Sequence, residues 1–260
     1  MDLYLGALFF FLGTVVASFA GVVAGRYGTG ESMVRGRSRC DACGESLTVF
    51  SLVPILSYTV SWGRAQCCGG RISKLGPISE FLLGALFVIA YAQYGFSYTL
   101  VVVLAALAAL LALVLYDLAH EILPPPFLFV FTLFALLAGY LQAPDFHAFG
   151  LTLATAALLA LALFLLHVLS GGRAMGFADT PLVFALSLLA GPFALSGFVF
   201  SFWIGAVIGI GILLMRPRGA RMGIAVPFAP FLAAGFLLAL FTSWNPFLLV
   251  SDGMMRLMGA

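Results

Sequence analysis

Residues 98–117 read YTLVVVLAALAALLALVLYD, an apolar run whose only charge is its last residue, Asp117. About twenty such residues in a helix cross the roughly 30 Å of hydrocarbon in a bilayer. The stretch therefore predicts a membrane-spanning helix with a carboxylate at one end. The same composition continues outward on both sides, interrupted at Tyr94 to Ser97, His120 to Pro126, Gln142 to His147, Ser170 to Asp179, Gly191-Pro192, Arg216 to Arg221 and after Thr242. These breaks delimit further spans near 77–95, 126–141, 148–169, 179–191, 194–215 and 226–243. The span 179–191 is short for a crossing. Leu3 to Ala24 is equally long and apolar, and Asp2 stands where a signal peptide would carry positive charge, so it reads as a retained first helix.

Over 260 residues the chain is 63% apolar and 8% charged, against about 45–50% and about 25% for a soluble domain. A core able to hide so many apolar side chains from water is beyond a chain of this size. The low charge also excludes a disordered chain and a nucleic-acid coat. The expectation is an all-α integral membrane protein of about eight transmembrane helices, with the lipid bilayer as its solvent and no nucleic-acid partner.

One stretch departs from this composition. From Gly25 to Gly76 the chain turns to Arg, Ser, Gly and Cys, which predicts a small extramembrane insert after the first helix. The implied organisation is a first helix over 1–24, the insert over 25–76 and a membrane core over 77–250. The insert carries Arg26, Arg35, Arg37, Arg39, Arg64, Arg71 and Lys74, seven of the twelve basic residues. Lys and Arg accumulate in cytoplasmic loops. With eight spans, a cytoplasmic insert also brings Arg173 and the cluster Arg216, Arg218 and Arg221 inside, leaving only Arg256 outside. Merging 179–191 with 194–215 would separate Arg173 from that cluster, so the two are kept as a pair.

Ionisable groups near membrane depth are costly and mark function. In this topology Asp117 and Asp179 both lie at cytoplasmic helix ends. If their helices pack together, the two acids can form a dyad, one activating water as a general base while the other, protonated, polarises a carbonyl. The same residues admit simpler roles. Asp179-Thr180-Pro181 is an ordinary helix start with Asp as N-cap, Asp117 can mark a membrane boundary beside His120 and Glu121, and paired acids also serve proton-coupled transporters.

All four cysteines lie in the insert, as Cys40-Asp41-Ala42-Cys43-Gly44 and Cys67-Cys68-Gly69-Gly70. A Cys-x-x-Cys-Gly turn presents two thiolates to zinc. The second turn is irregular, because Ala65 occupies the place three before Cys68 where a thiol belongs, and Cys67 substitutes only through an unusual local geometry. Cys40, Cys43, Cys67 and Cys68 are thus candidate zinc ligands. Free thiols are the next reading, and a disulfide comes last because the cytoplasm is reducing.

In order, these features resemble the bacterial prepilin peptidases, the leader peptidases of type IV pili and type II secretion. The resemblance runs through Ala17-Ser18-Phe19, Gly30-Glu31-Ser32, Arg39-Cys40 to Cys43-Gly44, Val53-Pro54-Ile55-Leu56-Ser57-Tyr58, Gly63-Arg64 and Arg71-Ile72-Ser73. It continues in Pro77-Ile78-Ser79-Glu80, Tyr116-Asp117-Leu118 with Leu123-Pro124, Ala174-Met175-Gly176 to Asp179, and Val226-Pro227-Phe228-Ala229-Pro230-Phe231. It implies an integral-membrane aspartic protease of the bacterial inner membrane with Asp117 and Asp179 catalytic. Such an enzyme cuts the leader of a prepilin or pseudopilin at the cytoplasmic edge. The resemblance also implies zinc on the cysteine insert, and methylation of the new N-terminus with S-adenosylmethionine. The family's Gly-x-Gly-Asp reads Gly176-Phe177-Ala178-Asp179 here, and one family zinc thiol falls on Ala65. An inactive relative serving pilus or secretion assembly would keep the fold and lose the dyad.

Overall fold

The computed structural model describes residues 3–33, 35–40, 42–48, 53–173, 175–215 and 227–246. Ala174, the cluster Arg216, Arg218 and Arg221, Val226 and Arg256 lie outside them. The described residues form helices with no strand, apart from isolated bridges at Arg39–Ser46 and Arg64–Arg71. The helices are α1 (Leu3–Arg26), α2 (Leu56–Val60), α3 (Leu75–Tyr94), α4 (Tyr98–His120), α5 (Pro125–Gln142), α6 (Phe146–Leu169), α7 (Asp179–Ala190), α8 (Ala194–Met215) and α9 (Ala229–Thr242). Six stretches are long and apolar enough to cross a membrane: α1, α3, α4, α5, α6 and the run Asp179–Met215. α9 is apolar but shorter. The chain is a multi-pass helical membrane protein with a cysteine-bearing segment after its first helix. Large side chains left exposed on the long helices, such as Phe81, Leu82, Leu158 and Leu161, face lipid, where no hydrophobic penalty attaches to them.

Two compact units divide the chain, Met1–Tyr116 and Asp117–Ala260. In the first, α1 packs on α3 through small residues. A Cβ on Gly13 would come within 2.7 Å of the Gly84 Cα, so the backbones touch where side chains would otherwise hold them apart. Buried Thr14, Ala17, Ala20 and Ala24 extend the stripe along α1. Close approach of this kind drives helix association in lipid, where dispersion replaces the hydrophobic effect.

In the second unit the run Asp179–Met215 is two helices. Gly191 takes φ +57 and begins a short 3-10 turn with Pro192, and the chain reverses there. α7 ends beside the end of α5, since Gly139 lies against the Leu188 carbonyl and the Gln142 amide donates to Leu189 O at 3.3 Å. α8 starts beside the end of α9 and runs antiparallel to it, with Gly197 against Phe236 and Gly205 against Phe228. The expected break at Gly191-Pro192 is therefore a turn between antiparallel helices.

α7 and α9, with 12 and 14 residues, rise only about 18 Å and 21 Å. The neighbouring α6 and α8 have 24 and 22 residues, about 36 Å and 33 Å. Beyond the level of Phe228, α8 continues from Gly205 to Met215, about 15 Å further. The starts of α7 and α9 are thus recessed below the ends of the helices around them.

Candidate active site and cysteine cluster

The recess holds both aspartates. Asp117 lies in the last turn of α4, which continues three residues beyond the expected end to His120, and is 5% exposed. Asp179 opens α7 and is 8% exposed. Each carboxylate is met by a backbone N–H, Asp117 by that of Ala229 and Asp179 by that of Gly176. Asp179 lies within electrostatic reach of Asp117, which in turn feels Glu121. The structure brings the two acids together inside one compact unit. Asp179 sits in the first turn of α7, and Asp117 faces the first residue of α9. Each is therefore at a helix N-terminus, where the unpaired N–H groups and the dipole favour negative charge.

The simple capping reading of Asp179 fails on geometry. Ala178 occupies the N-cap position, and no side-chain hydrogen bond caps α7. The Asp179 carboxylate turns instead toward Gly176, on which a Cβ would sit 3.4 Å from Oδ2. Ala178 has φ −67 and ψ −19, ordinary helical angles, so the methyl that replaces the second glycine of Gly-x-Gly-Asp costs no strain here. Two buried polar atoms at this site, Asp117 Oδ2 and Thr180 Oγ1, have no hydrogen-bond partner among the described residues. Buried polar atoms in folded proteins are nearly always paired, so a water or a substrate group is called for at this place.

Two further groups shape the site without being conspicuous in the sequence. Pro230 in the first turn of α9 starts a helix whose leading N–H, that of Ala229, reaches Asp117. His167, near the end of α6, places Nδ1 2.9 Å from the Met175 carbonyl. A carbonyl only accepts, so Nδ1 carries the proton. The imidazole also meets the Phe177 ring at 5.8 Å. His167 thereby ties the end of α6 to the loop that delivers Asp179. The hint in the sequence was a histidine on an otherwise apolar helix face; nothing in it named a backbone carbonyl as partner.

The cysteine segment is two turns of one design. In the first, Cys40 N donates to Glu45 O at 2.8 Å, Gly44 N to Cys40 O at 2.8 Å and Leu47 N to Ser38 O at 2.8 Å. In the second, Ala65 N donates to Gly70 O at 2.8 Å, Gly69 N to Ala65 O at 2.7 Å and Ile72 N to Gly63 O at 2.9 Å. The bridges Arg39–Ser46 and Arg64–Arg71 match as well. Gly44 and Gly69 hold the corresponding positive φ, +74 and +69, which glycine adopts without steric cost. Cys43 and Cys68 are equivalent in this frame, as are Cys40 and Ala65. The missing thiol is supplied by Cys67, whose counterpart in the first turn is Ala42.

The four sulfurs form a cluster able to hold a metal ion, all within 4.8 Å of one another. Cys40 and Cys68 are 3.8 Å apart, Cys43 and Cys67 3.3 Å. The N–H groups of Cys43 and Ala42 point at Cys40 and bring its thiol down to about 7, whereas Cys67, hydrogen-bonded to Cys43 and Cys40, is pushed up to about 12.

Comparison with known proteins agrees with these features. The Bacterial Peptidase A24 N-terminal domain matches residues 11–94. A prepilin leader peptidase/N-methyltransferase of Bacillus subtilis is 30% identical over 237 residues, covering 90% of this chain and 92% of the relative. Its namesake in Myxococcus xanthus is 40% identical over 125 residues, 46% of this chain and 37% of that protein. The one from Pseudomonas putida is 29% identical over 85% of this chain and 76% of its own length. No solved structure matches the chain.

Proposed function

The chain belongs to the prepilin leader peptidase/N-methyltransferase family, and on that premise we propose that it is an aspartic endopeptidase with Asp117 and Asp179 as its catalytic pair. It removes the leader of a type IV prepilin or pseudopilin at the cytoplasmic face of the bacterial inner membrane, then methylates the new N-terminus. The observation that carries the peptidase reading is the pairing itself: two buried carboxylates at two helix N-termini, with one oxygen unpaired.

The chemistry needs one proton between the two acids. The ionised carboxylate takes a proton from a water held in the recess, and the oxygen attacks the scissile carbonyl. The protonated partner gives its proton to the carbonyl oxygen and takes one back from the tetrahedral intermediate as it collapses, while the expelled amine takes up the proton held by the first acid, so that one proton again remains between the two. The low-dielectric surroundings strengthen both interactions. Ala229 and Gly176 hold the carboxylates in place through their N–H groups, and His167 fixes the loop between α6 and α7.

Zinc fits the cysteine cluster. Four thiolates at about 2.3 Å from a tetrahedral zinc lie about 3.8 Å apart, and the sulfurs here are separated by 3.3 Å and 3.8 Å across the two pairs. Cys40, Cys43, Cys67 and Cys68 would hold it. Such an ion supplies folding free energy to a segment with little core of its own. For methylation the donor is S-adenosylmethionine, which supplies a sulfonium methyl to the freed amine. A hollow of about 440 Å³ in the insert is lined by Arg26, Glu31, Arg35, Arg37 and Arg39. It offers no aromatic or apolar wall for an adenine and does not fit that donor.

The test is co-expression with a prepilin and mass measurement of the mature substrate. Removal of the leader, with an added methyl group, is the expected result for the unaltered chain. An unprocessed substrate would mark the chain as an inactive relative.

A further inference from the structure

We propose that α2 and Trp62 form an interfacial anchor that seats the cysteine insert on the cytoplasmic leaflet of the bilayer. The proposal rests on the membrane assignment and the charge-derived topology and on no catalytic reading. Three large apolar side chains stand out from this short segment, with Leu56 61%, Val60 72% and Trp62 90% exposed. The Tyr58 ring instead turns inward onto Gly63, where a Cβ would meet it at 2.9 Å.

Two strained residues bracket the helix. Ile55 has φ 59 and Trp62 φ 53, left-handed conformations that are costly for side chains of this kind, above all for a β-branched one. The strain at Ile55 is held by a specific contact, its N–H donating to Glu80 Oε2 at 2.7 Å. This bond fixes the depth of α2. Glu80 is in the second turn of α3, a helix of 20 residues that spans about 30 Å with nothing to spare. Glu80 therefore lies about 7.5 Å along the axis from Leu75, and the start of α2 is held that far inside the end of the span, within the roughly 5–10 Å to which an interfacial helix buries its apolar face.

The neighbouring surface agrees. Leu75 and Ile78, at the start of α3, are 42% and 52% exposed, so apolar surface continues past the level of Glu80 to the start of the helix. Arg64, Arg71 and Lys74 are exposed nearby, and basic groups around an apolar face suit an anionic leaflet. A Trp at this depth occupies the headgroup layer that Trp favours. The anchor would hold the cysteine cluster at the membrane surface instead of leaving it in the aqueous phase.

The experiment uses the full chain in vesicles of phosphatidylcholine and phosphatidylglycerol, with acyl chains brominated either near the carbonyl end or near the methyl end. The Trp62 signal is the difference between the unaltered chain and Trp62→Phe, so that Trp203 and Trp244 cancel. The expected result is a blue-shifted Trp62 emission, quenched strongly by the shallow bromines and less by the deep ones. A water-like emission that neither lipid quenches overturns the anchor, as does quenching strongest at depth. Shielding that begins only when a prepilin is added overturns it too, in favour of a protein partner. A Leu56→Glu, Val60→Glu variant should lose the quenching while staying inserted, and unchanged quenching in that variant removes α2 from the anchor.

Discussion

Asp117 and Asp179 are carried by apolar helices and are 5% and 8% exposed, whereas Cys43, Cys67 and Cys68 hang from turns and are exposed. The acids are placed by tertiary packing: Ala229, at the start of α9, meets a carboxylate on α4. The thiols are placed by local hydrogen bonds, each turn closed within ten residues. The first arrangement tolerates little substitution, since a buried carboxylate is surrounded by groups with no freedom to repack. The second tolerates a thiol moved from position 65 to 67, because the frame that aims it survives. Two chemistries on one chain can thus drift at different rates, and their disruption should separate cleanly.

The largest expected effect breaks the helix-borne half. Asp117→Asn or Asp179→Asn should lower prepilin cleavage by on the order of 10²-fold or more, since either change removes one of the two proton-transfer roles. Insertion and zinc content should stay as they are. Processing at the unaltered rate in either variant, scored on a co-expressed prepilin, would exclude the dyad.

The turn-borne half should fail differently. Cys40→Ser, or extraction with a strong chelator, should take the purified protein from about one zinc per chain to none, with methylation falling alongside. Leader cleavage should persist to a large extent, because the helices carrying the acids do not depend on the insert for their burial in lipid. A Cys40→Ser protein that is folded yet unable to cleave would show that the two halves are coupled through the substrate.

The spans were legible because a bilayer demands runs of apolar residues with internally paired backbones, and the breaks at Tyr94 to Ser97, His120 to Pro126 and Gly191-Pro192 carry the polar, Pro or Gly signals that interrupt them. Asp117 and Asp179 were legible for the same reason, being charges where charge is expensive. What the sequence hid is the set of contacts made by backbone atoms. The N–H of Ala229 and the carbonyl of Met175 have no side-chain signature, so neither the α9 contribution nor the His167 tether was readable before the helices were packed. Ala178 looked like a departure from Gly-x-Gly-Asp, and only its φ of −67 shows that no glycine conformation is required there. In the insert the gap at Ala65 was plain, but the matching of the two turns depends on hydrogen bonds that residue types alone do not specify.

A smaller effect sharpens the helix-borne half. His167→Ala removes a single hydrogen bond to the Asp179 loop, worth about 1 kcal/mol, which corresponds to a roughly five- to tenfold loss in cleavage. The loss should fall on kcat with KM little changed, because the imidazole positions Asp179 and makes no contact with a leader in this reading. His167→Gln, which keeps a donor, should recover part of the rate. An equal loss in the Gln variant would assign His167 to packing against Phe177 alone.

The smallest effect tests whether the two turns are the same device. Ala65 is 7% exposed and has the hydrogen-bond partners that correspond to those of Cys40, so a thiol placed there would point where the Cys40 thiol points from the opposite turn. Cys67→Ala alone should lose the metal, as it leaves three thiols and no histidine lies in the insert. Adding Ala65→Cys to that variant should complete a regular Cys-x-x-Cys pair with Cys68, and with it restore the zinc. The restored site should release metal to a chelator no faster than the unaltered protein, and up to about tenfold more slowly if the displaced Cys67 now costs about 1.4 kcal/mol in ligand geometry. A double variant that binds no zinc would show that the second turn cannot aim a thiol from the place of Ala65, and that the equivalence of the two frames ends at the backbone.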